Sequence, residues 1–349
     1  MSSHVNSDKQ YVTHSQSDRT SFPAQSSVID ERAIFQRILP LYDLASAPRS
    51  CRFLTRGDSD VYRVLTDTET YYLKIRRPPV STARCNAEAR LVVNLATEGL
   101  PVVRPIPLRR GGYAEEIQAS EGPRPVLLFE AAPARLVDSF DTGQARQFGQ
   151  MLANLHVVAD RRPVDPDLGE ADSHAAYGWV REIDAGILLT EEQHSVLDDA
   201  ARRIVMAYSS LPRSAPEYGP IHGDLARSNI RWDNAGHATL FDFGAAERGW
   251  RVNELANVWR QALPRSTPQV QTALWQAFLI GYASAHPVPA NLNDFRQFNA
   301  LAAKLSTTAY ICGSLTLRLG IEPIEEHNIA QQVLEVKQLL TELPSSNTC

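Results

Sequence analysis

The sequence predicts an α+β fold in which a small strand-rich N-terminal part precedes a larger, mainly helical C-terminal part. Three observations carry this expectation. Short apolar runs, Val61 to Leu65 and Thr70 to Arg76, lie between Gly, Ser and Pro turns early in the chain. From Thr142 onward the apolar spacing turns helical. That pattern is interrupted around residues 219 to 245, where short apolar strands flank polar residues.

The elements follow in order. Residues 1–28 are rich in Ser, Gln, Asp and His and lack the apolar core of a signal peptide, so they read as a disordered tail. Ile34, Phe35, Ile38, Leu39 and Tyr42 recur at helical spacing, and Pro40 marks the end of that helix. A polar turn, Thr55 to Asp60, leads into the strand beginning at Val61. A second strand places Lys74 among Tyr72, Leu73 and Ile75, and Pro78-Pro79 ends it. Ser81 or Thr82 caps a helix from Ala83 to Glu98, with Glu88 in its first half and Gly99 and Pro101 behind it. Val102 to Phe129 reads as three short strands, and Ala131 to Ala134 as a linker. There is no internal repeat.

Composition sets the broad class. Of 349 residues, 43% are hydrophobic and 21% charged, ordinary for a globular enzyme. A net charge of -5 disfavours phosphate polymers, so a nucleic-acid binder is not expected. The four cysteines are scattered, with no C-x-x-C pair and no histidine at ligand spacing, which argues against a disulfide framework and a structural zinc site. No apolar run approaches the roughly 18 to 20 residues that span a bilayer. The expectation is a cytoplasmic protein with no membrane partner.

The chemistry concentrates in Ile221-His222-Gly223-Asp224-Leu225-Ala226-Arg227-Ser228-Asn229-Ile230, followed by Leu240-Phe241-Asp242-Phe243-Gly244. Residues 229–232 and 238–241 flank Asp233-Asn234-Ala235-Gly236, a good hairpin turn. Folding that hairpin brings Asn229 and Asp242 to the same end of a ribbon. Two converging oxygen ligands with room for phosphates and water suit Mg²⁺. Asp224, just before the ribbon, can face the same spot. The plainer alternative is a hairpin whose Asp and Asn merely form turns.

The H-G-D-L-x-x-x-N run followed by D-F-G resembles the catalytic and metal loops of the aminoglycoside phosphotransferase and choline kinase families, over about residues 50 to 340. The resemblance implies a two-lobed protein-kinase-like fold, with a small antiparallel-sheet N-lobe over residues 29–130 and a larger, mainly helical C-lobe over 131–345. By the same resemblance Asp224 positions the acceptor hydroxyl and takes its proton, while Asn229 and Asp242 hold Mg²⁺ on the phosphates of ATP, with GTP as a possible donor. His222 supports the loop. Lys74 contacts the α- and β-phosphates, and Glu88 orients it by an ion pair. Ser59, in a polar turn with one glycine instead of G-x-G-x-x-G, is the phosphate-contacting candidate. Phe129, Glu130 and Ala131 form the linker whose backbone recognises the adenine edge. His156, in a helix ending Leu-His, is a structural histidine under the catalytic loop. Glu254 stands where the family commonly has Asp, a departure that bears on local loop support and not on the metal site.

Between Asp160 and Asp199 there are eleven Asp/Glu against three Arg. An acidic acceptor cleft would attract a cationic amine, whereas a solvated helical face is the commoner use of such a run. Tyr177, Trp179 and Trp250 fit acceptor stacking and core packing equally. The expected reaction is phosphoryl transfer to a hydroxyl of a small molecule, such as an aminoglycoside or amino alcohol. The alternatives are a bacterial stress-type protein Ser/Thr kinase on the same fold and a nucleotide-binding regulator without turnover.

Overall fold

Five antiparallel strands in the order β1-β2-β3-β5-β4 make the N-terminal part: β1 (Pro48–Arg56), β2 (Ser59–Thr66), β3 (Thr70–Arg76), β4 (Glu115–Ala119) and β5 (Gly122–Glu130). The computed structural model describes residues 27–132, 141–186, 189–263, 267–315 and 326–343. Most of the expected tail, and linker residues Pro133 and Ala134, lie outside these. Along β3 burial alternates strictly, with Tyr71, Leu73 and Ile75 inside and Tyr72, Lys74 and Arg76 on the opposite face. The inward set packs with Tyr62, Val64, Val126 and Leu128. The leading helical segment closes that core with Ile34, Leu39 and Tyr42. It comprises α1 (Glu31–Ala33), a π turn over Ile34–Ile38 and a 3₁₀ turn over Leu39–Leu41 that contains Pro40.

Two expectations are corrected here. β1 precedes the strand at Val61 and was not foreseen, because it is an edge strand with a mostly exposed, polar face. Between Val102 and Phe129 there are two strands and not three. Val102 to Leu108 stays extended, touching its neighbours through single bridges at Val102, Pro105 and Leu108. Pro105 and Pro107 lack the N–H that a ladder needs.

Helix α2 (Thr82–Thr97) starts where the Ser81 side chain accepts the Arg84 N–H at 3.1 Å, and it buries Cys85, Glu88, Ala89 and Val92. The C-terminal part is built on α3 (Thr142–Asp160) crossing α7 (Pro268–Ala283). A Cβ on Gly149 would lie 2.0 Å from the Phe278 carbonyl oxygen, and one on Gly281 1.9 Å from that of Arg146. Only glycine permits so close a crossing. A second core joins α4 (Ala175–Gly186), α5 (Glu191–Ser209), α8 (Leu292–Ala309) and α9 (Glu326–Thr341) through Ile183, Leu197, Ile204, Leu301, Leu305 and Val336. Between these helical layers β6 (Tyr218–Ile221) pairs with β9 (Glu247–Trp250), and β7 (Ile230–Trp232) with β8 (Ala238–Leu240). The short α6 (Arg251–Asn257) follows β9 directly. Among the described residues, no helix is long and apolar enough to cross a membrane.

Candidate active site

The β7–β8 hairpin has the expected register, Ile230 opposite Leu240 and Trp232 opposite Ala238. Its turn is closed by Asp233, whose carboxylate accepts the N–H groups of Ala235 and His237 at 2.8 and 2.9 Å. At the open end the Phe241 N–H donates to the Asn229 carbonyl at 3.2 Å, so Asn229 and Asp242 emerge side by side. The Asn229 amide donates to both the carboxylate and the carbonyl oxygen of Asp224, each at 2.9 Å. Those two acceptors fix the amide's orientation, and its Oδ1, which accepts the Ser228 hydroxyl at 3.4 Å, keeps a second lone pair for a ligand.

Asp242 has φ 65° and ψ 62°, the only non-glycine residue at positive φ among those described. Left-handed backbone is uncommon outside glycine, and Asp is among the few residues that tolerate it. Its carboxylate accepts from Lys74 Nζ at 2.6 Å. Burial, the largest single influence, pushes this carboxyl up, but the charge and hydrogen bond of Lys74 together with Arg76 and His222 outweigh it, and the outcome is a pKa below the usual value. The ion pair of Lys74 is therefore with Asp242 and not, as expected, with Glu88. Glu88 lies buried beneath, its carboxyl raised by burial against the opposing charges of Arg76 and Lys74.

Arg76 is a site residue that motif reading missed. It shares a face with Lys74, two residues along β3, and donates Nη2 to the Gly244 carbonyl at 3.1 Å. A Cβ on Gly244 would sit 2.0 Å from its Nη1, so the glycine after Phe243 makes room for this arginine. The period-2 alternation of β3 was the available signal.

Loop support runs through buried polar groups. The His222 ring is 3.0 Å from the Phe241 carbonyl oxygen through Nε2, and its Nδ1 accepts the Asp224 N–H at 3.3 Å. Glu254 Oε1 accepts the N–H groups of His222 and Gly223 at 2.6 and 3.0 Å, while Oε2 lies 2.5 Å from His156 Nε2. The other nitrogen of His156 is 2.7 Å from the Tyr282 hydroxyl. Burial holds His156 well below its ordinary pKa and so neutral, and burial raises Glu254. Glu254 thus ties the loop at His222 and Gly223 to the helix carrying His156. Gly223, at φ +82°, would bring a Cβ within 2.1 Å of the Ala245 carbonyl oxygen; the loops carrying Asp224 and Asp242 touch there.

Two adjoining cavities meet at Lys74 and Asp242. One, of about 370 Å³, is walled by apolar Leu54, Val61, Val103 and Phe129. The other, of about 290 Å³, holds Ser59, Lys74, Arg76, Asp224 and Asp242. Asp60, next to Ser59, is fully buried and salt-bridged to Arg124 and Arg56, each at 2.8 Å, which anchors the turn. In the linker, the Ala131 N–H is spent on the Thr70 carbonyl at 3.2 Å, so its donor is not free for an adenine edge. Glu130 and Ala132 line the cavity instead. Among the described residues no three His, Cys, Asp or Glu side chains cluster as a self-sufficient metal cage. The oxygens of Asn229 and Asp242 fit a hard divalent cation whose shell is completed by phosphate and water.

The acidic run between 160 and 199 does not converge on this cleft. Asp165 pairs with Arg90, Glu170 with Arg248 and Arg213, Asp199 with Arg202 and Arg203, and Asp184 and Asp198 with His194. Trp250 is buried and donates Nε1 to the Pro212 carbonyl at 3.1 Å, and Trp179 packs against the second core. Both are core residues. Tyr177 is 38% exposed on the outer face of α4.

The family profile described as "Phosphotransferase enzyme family" matches residues 50–288. An uncharacterised protein of Synechocystis sp. is 30% identical over 293 residues, 83% of this chain and 78% of that protein. A homoserine kinase of Pseudomonas aeruginosa is 27% identical over 264 residues, 74% of this chain and 79% of that one. The solved structure of an amicoumacin kinase with AMP-PNP, Ca²⁺ and Ami superposes with a TM-score of 0.74 at 19% identity, over 90% of this chain and 95% of that one. The structural neighbours also include aminoglycoside phosphotransferases and a choline/ethanolamine kinase family protein, as the loop motifs implied. Profile, relatives and fold agree: this chain is a kinase-like phosphotransferase and belongs to the phosphotransferase enzyme family.

Proposed function

We propose that the chain transfers the γ-phosphate of ATP, with Mg²⁺, to a hydroxyl of a small molecule. The observation that carries this reading is the meeting of Ser59, Lys74, Asp224 and Asp242 around one cavity that adjoins an apolar slot. Lys74 would neutralise phosphate charge from a fixed position. Asn229 and Asp242 would hold the metal ion, which supplies electrostatic stabilisation of the transferring phosphoryl group. Asp224, steadied by the Asn229 amide, would align the acceptor hydroxyl for in-line attack and take its proton. Because the transition state is loose, positioning and charge neutralisation account for most of the rate. Leu54, Val61 and Phe129 offer the apolar walls a purine needs, with Glu130 and Ala132 at its edge; GTP would use the same slot.

The acceptors of the named relatives, homoserine and amicoumacin, support a small hydroxyl-bearing molecule. The need for ATP and Mg²⁺ leads us to place the protein in the cytoplasm. The test is transfer from γ-labelled ATP to pooled hydroxy amino acids, amino alcohols, aminoglycosides and nucleosides, beside a generic protein. Label on one small-molecule pool, absent with Asp224→Asn, is the expected result. Label only on protein would replace this reading with the stress-type protein kinase. Nucleotide binding with no label on any acceptor would replace it with a regulator.

A further inference from the structure

Remote from the cleft, the segment after α6 meets α7, α8 and α9 around a cavity of about 300 Å³. Its walls include Trp259, Arg260, Gln271, Arg296, Gln297 and Glu342, and none of its lining residues borders either cleft cavity. The Arg296 guanidinium lies 3.7 Å from the ring centroid of Trp259 and 5.5 Å from that of Trp275. The two indoles meet edge to face at 67°, and the guanidinium lies over Trp259 with Trp275 at its side.

What sets Arg296 apart is the lack of a partner. Its Nε is buried without a hydrogen bond, and among the described residues the side chain forms no ion pair. Burying a guanidinium N–H without an acceptor is costly, and aromatic stacking satisfies the ring face but none of the five donors along the edge. Arg260 brings a second positive charge to the same cavity, its guanidinium steadied by Asn257 at 2.9 Å and Asn299 at 3.3 Å. The one acid in the lining, Glu342, is exposed. Two arginines and two glutamines line the cavity, and the terminal nitrogens of a guanidinium can give an oxyanion two parallel N–H bonds.

We propose that this cavity is a binding site for a small oxyanion, a carboxylate or a phosphate group, seated on Arg296. The site is independent of the phosphotransferase chemistry, and Arg296 takes no part in that machinery.

The experiment is thermal unfolding of the full chain against inorganic phosphate and, separately, succinate, at ionic strength held constant with sodium chloride. The expected result is a midpoint rising by about 2 °C when one anion reaches ten times its Kd. That rise disappears in Arg296→Gln and persists in Lys74→Ala, with quenching of tryptophan fluorescence as a second readout. The effective anion tells which source is meant: phosphate alone marks a phosphoryl group, succinate alone a carboxylate. Arg296→Lys, which keeps the charge and loses the fork, folds like the parent and binds about tenfold more weakly. A rise that survives Arg296→Gln and vanishes in Lys74→Ala belongs to the nucleotide cleft and overturns the proposal. An equal rise in all variants is general salt stabilisation, and no rise is no site; either overturns it as well.

Discussion

Charged groups in the cleft and on the outer helices are used in opposite ways. Glu88, His156, His222 and Glu254 are buried, and the hydrogen bonds of Glu254 reach α3 and the loop carrying Asp224 at once. On α5, Asp198, Asp199, Arg202 and Arg203 lie toward the surface and pair with neighbours one turn away. A buried carboxylate that ties three segments together leaves several orphans when removed, whereas an exposed pair returns to water almost unchanged. Charge count is therefore a poor guide to where the chemistry lies; burial and cross-linking are the better guide.

The contrast can be broken at its strongest point. Asp224→Asn keeps the Asn229 contact as an amide and removes the proposed base, so transfer should fall about 10³-fold while nucleotide affinity stays near that of the parent. Phosphate transfer beside nucleotide titration calorimetry checks both halves. Glu254→Ala strands His156 and two N–H groups in the core and should cost about 3–5 kcal/mol, read from urea unfolding. Glu254→Gln, which keeps the acceptor oxygen, should recover part of that loss.

A smaller effect is set by pH. Burial pushes Glu247 up to about 7, against the Arg84 charge and with that of Glu254. Its folded pKa lies above the unfolded value of 4.5, so its contribution is full below that value and is lost as pH rises through about 7. Glu247→Gln should flatten that part of the slope in unfolding midpoints measured across this window. Last and smallest, Asp199→Asn on the outer helices should change stability by less than about 0.5 kcal/mol and leave transfer unaltered. A larger loss of transfer would bring the acidic face into the acceptor site.

The hairpin carrying Asn229 and Asp242 was legible because its determinants are contiguous: two short apolar runs and an Asp/Asn/Gly turn. The helix from Ser81 was legible from its cap. Edge strand β1 was not, since an exposed strand shows no apolar alternation. Val102 to Leu108 looked like a strand in its apolar content, but two prolines deny it a ladder. Arg76 and Ala132 escaped for different reasons. The first needs the strand's facing to be known, and the second depends on which linker N–H the sheet has already consumed. Glu254 was located, yet its reach to His156 depends on the packing of α3, which no local pattern encodes.

The contact between Lys74 and Asp242 has a thermodynamic consequence. The two charges cancel one another across the floor of the cleft, so the resting site is close to neutral. Drawing Lys74 toward an anion strips Asp242 of its counter-charge, and turning Asp242 toward a cation does the same to Lys74. Each separation is unfavourable alone, and each removes the cost of the other. A polyphosphate and a divalent ion should therefore enhance one another's affinity by the same factor, a reciprocity that titrating either in the presence of the other would measure directly.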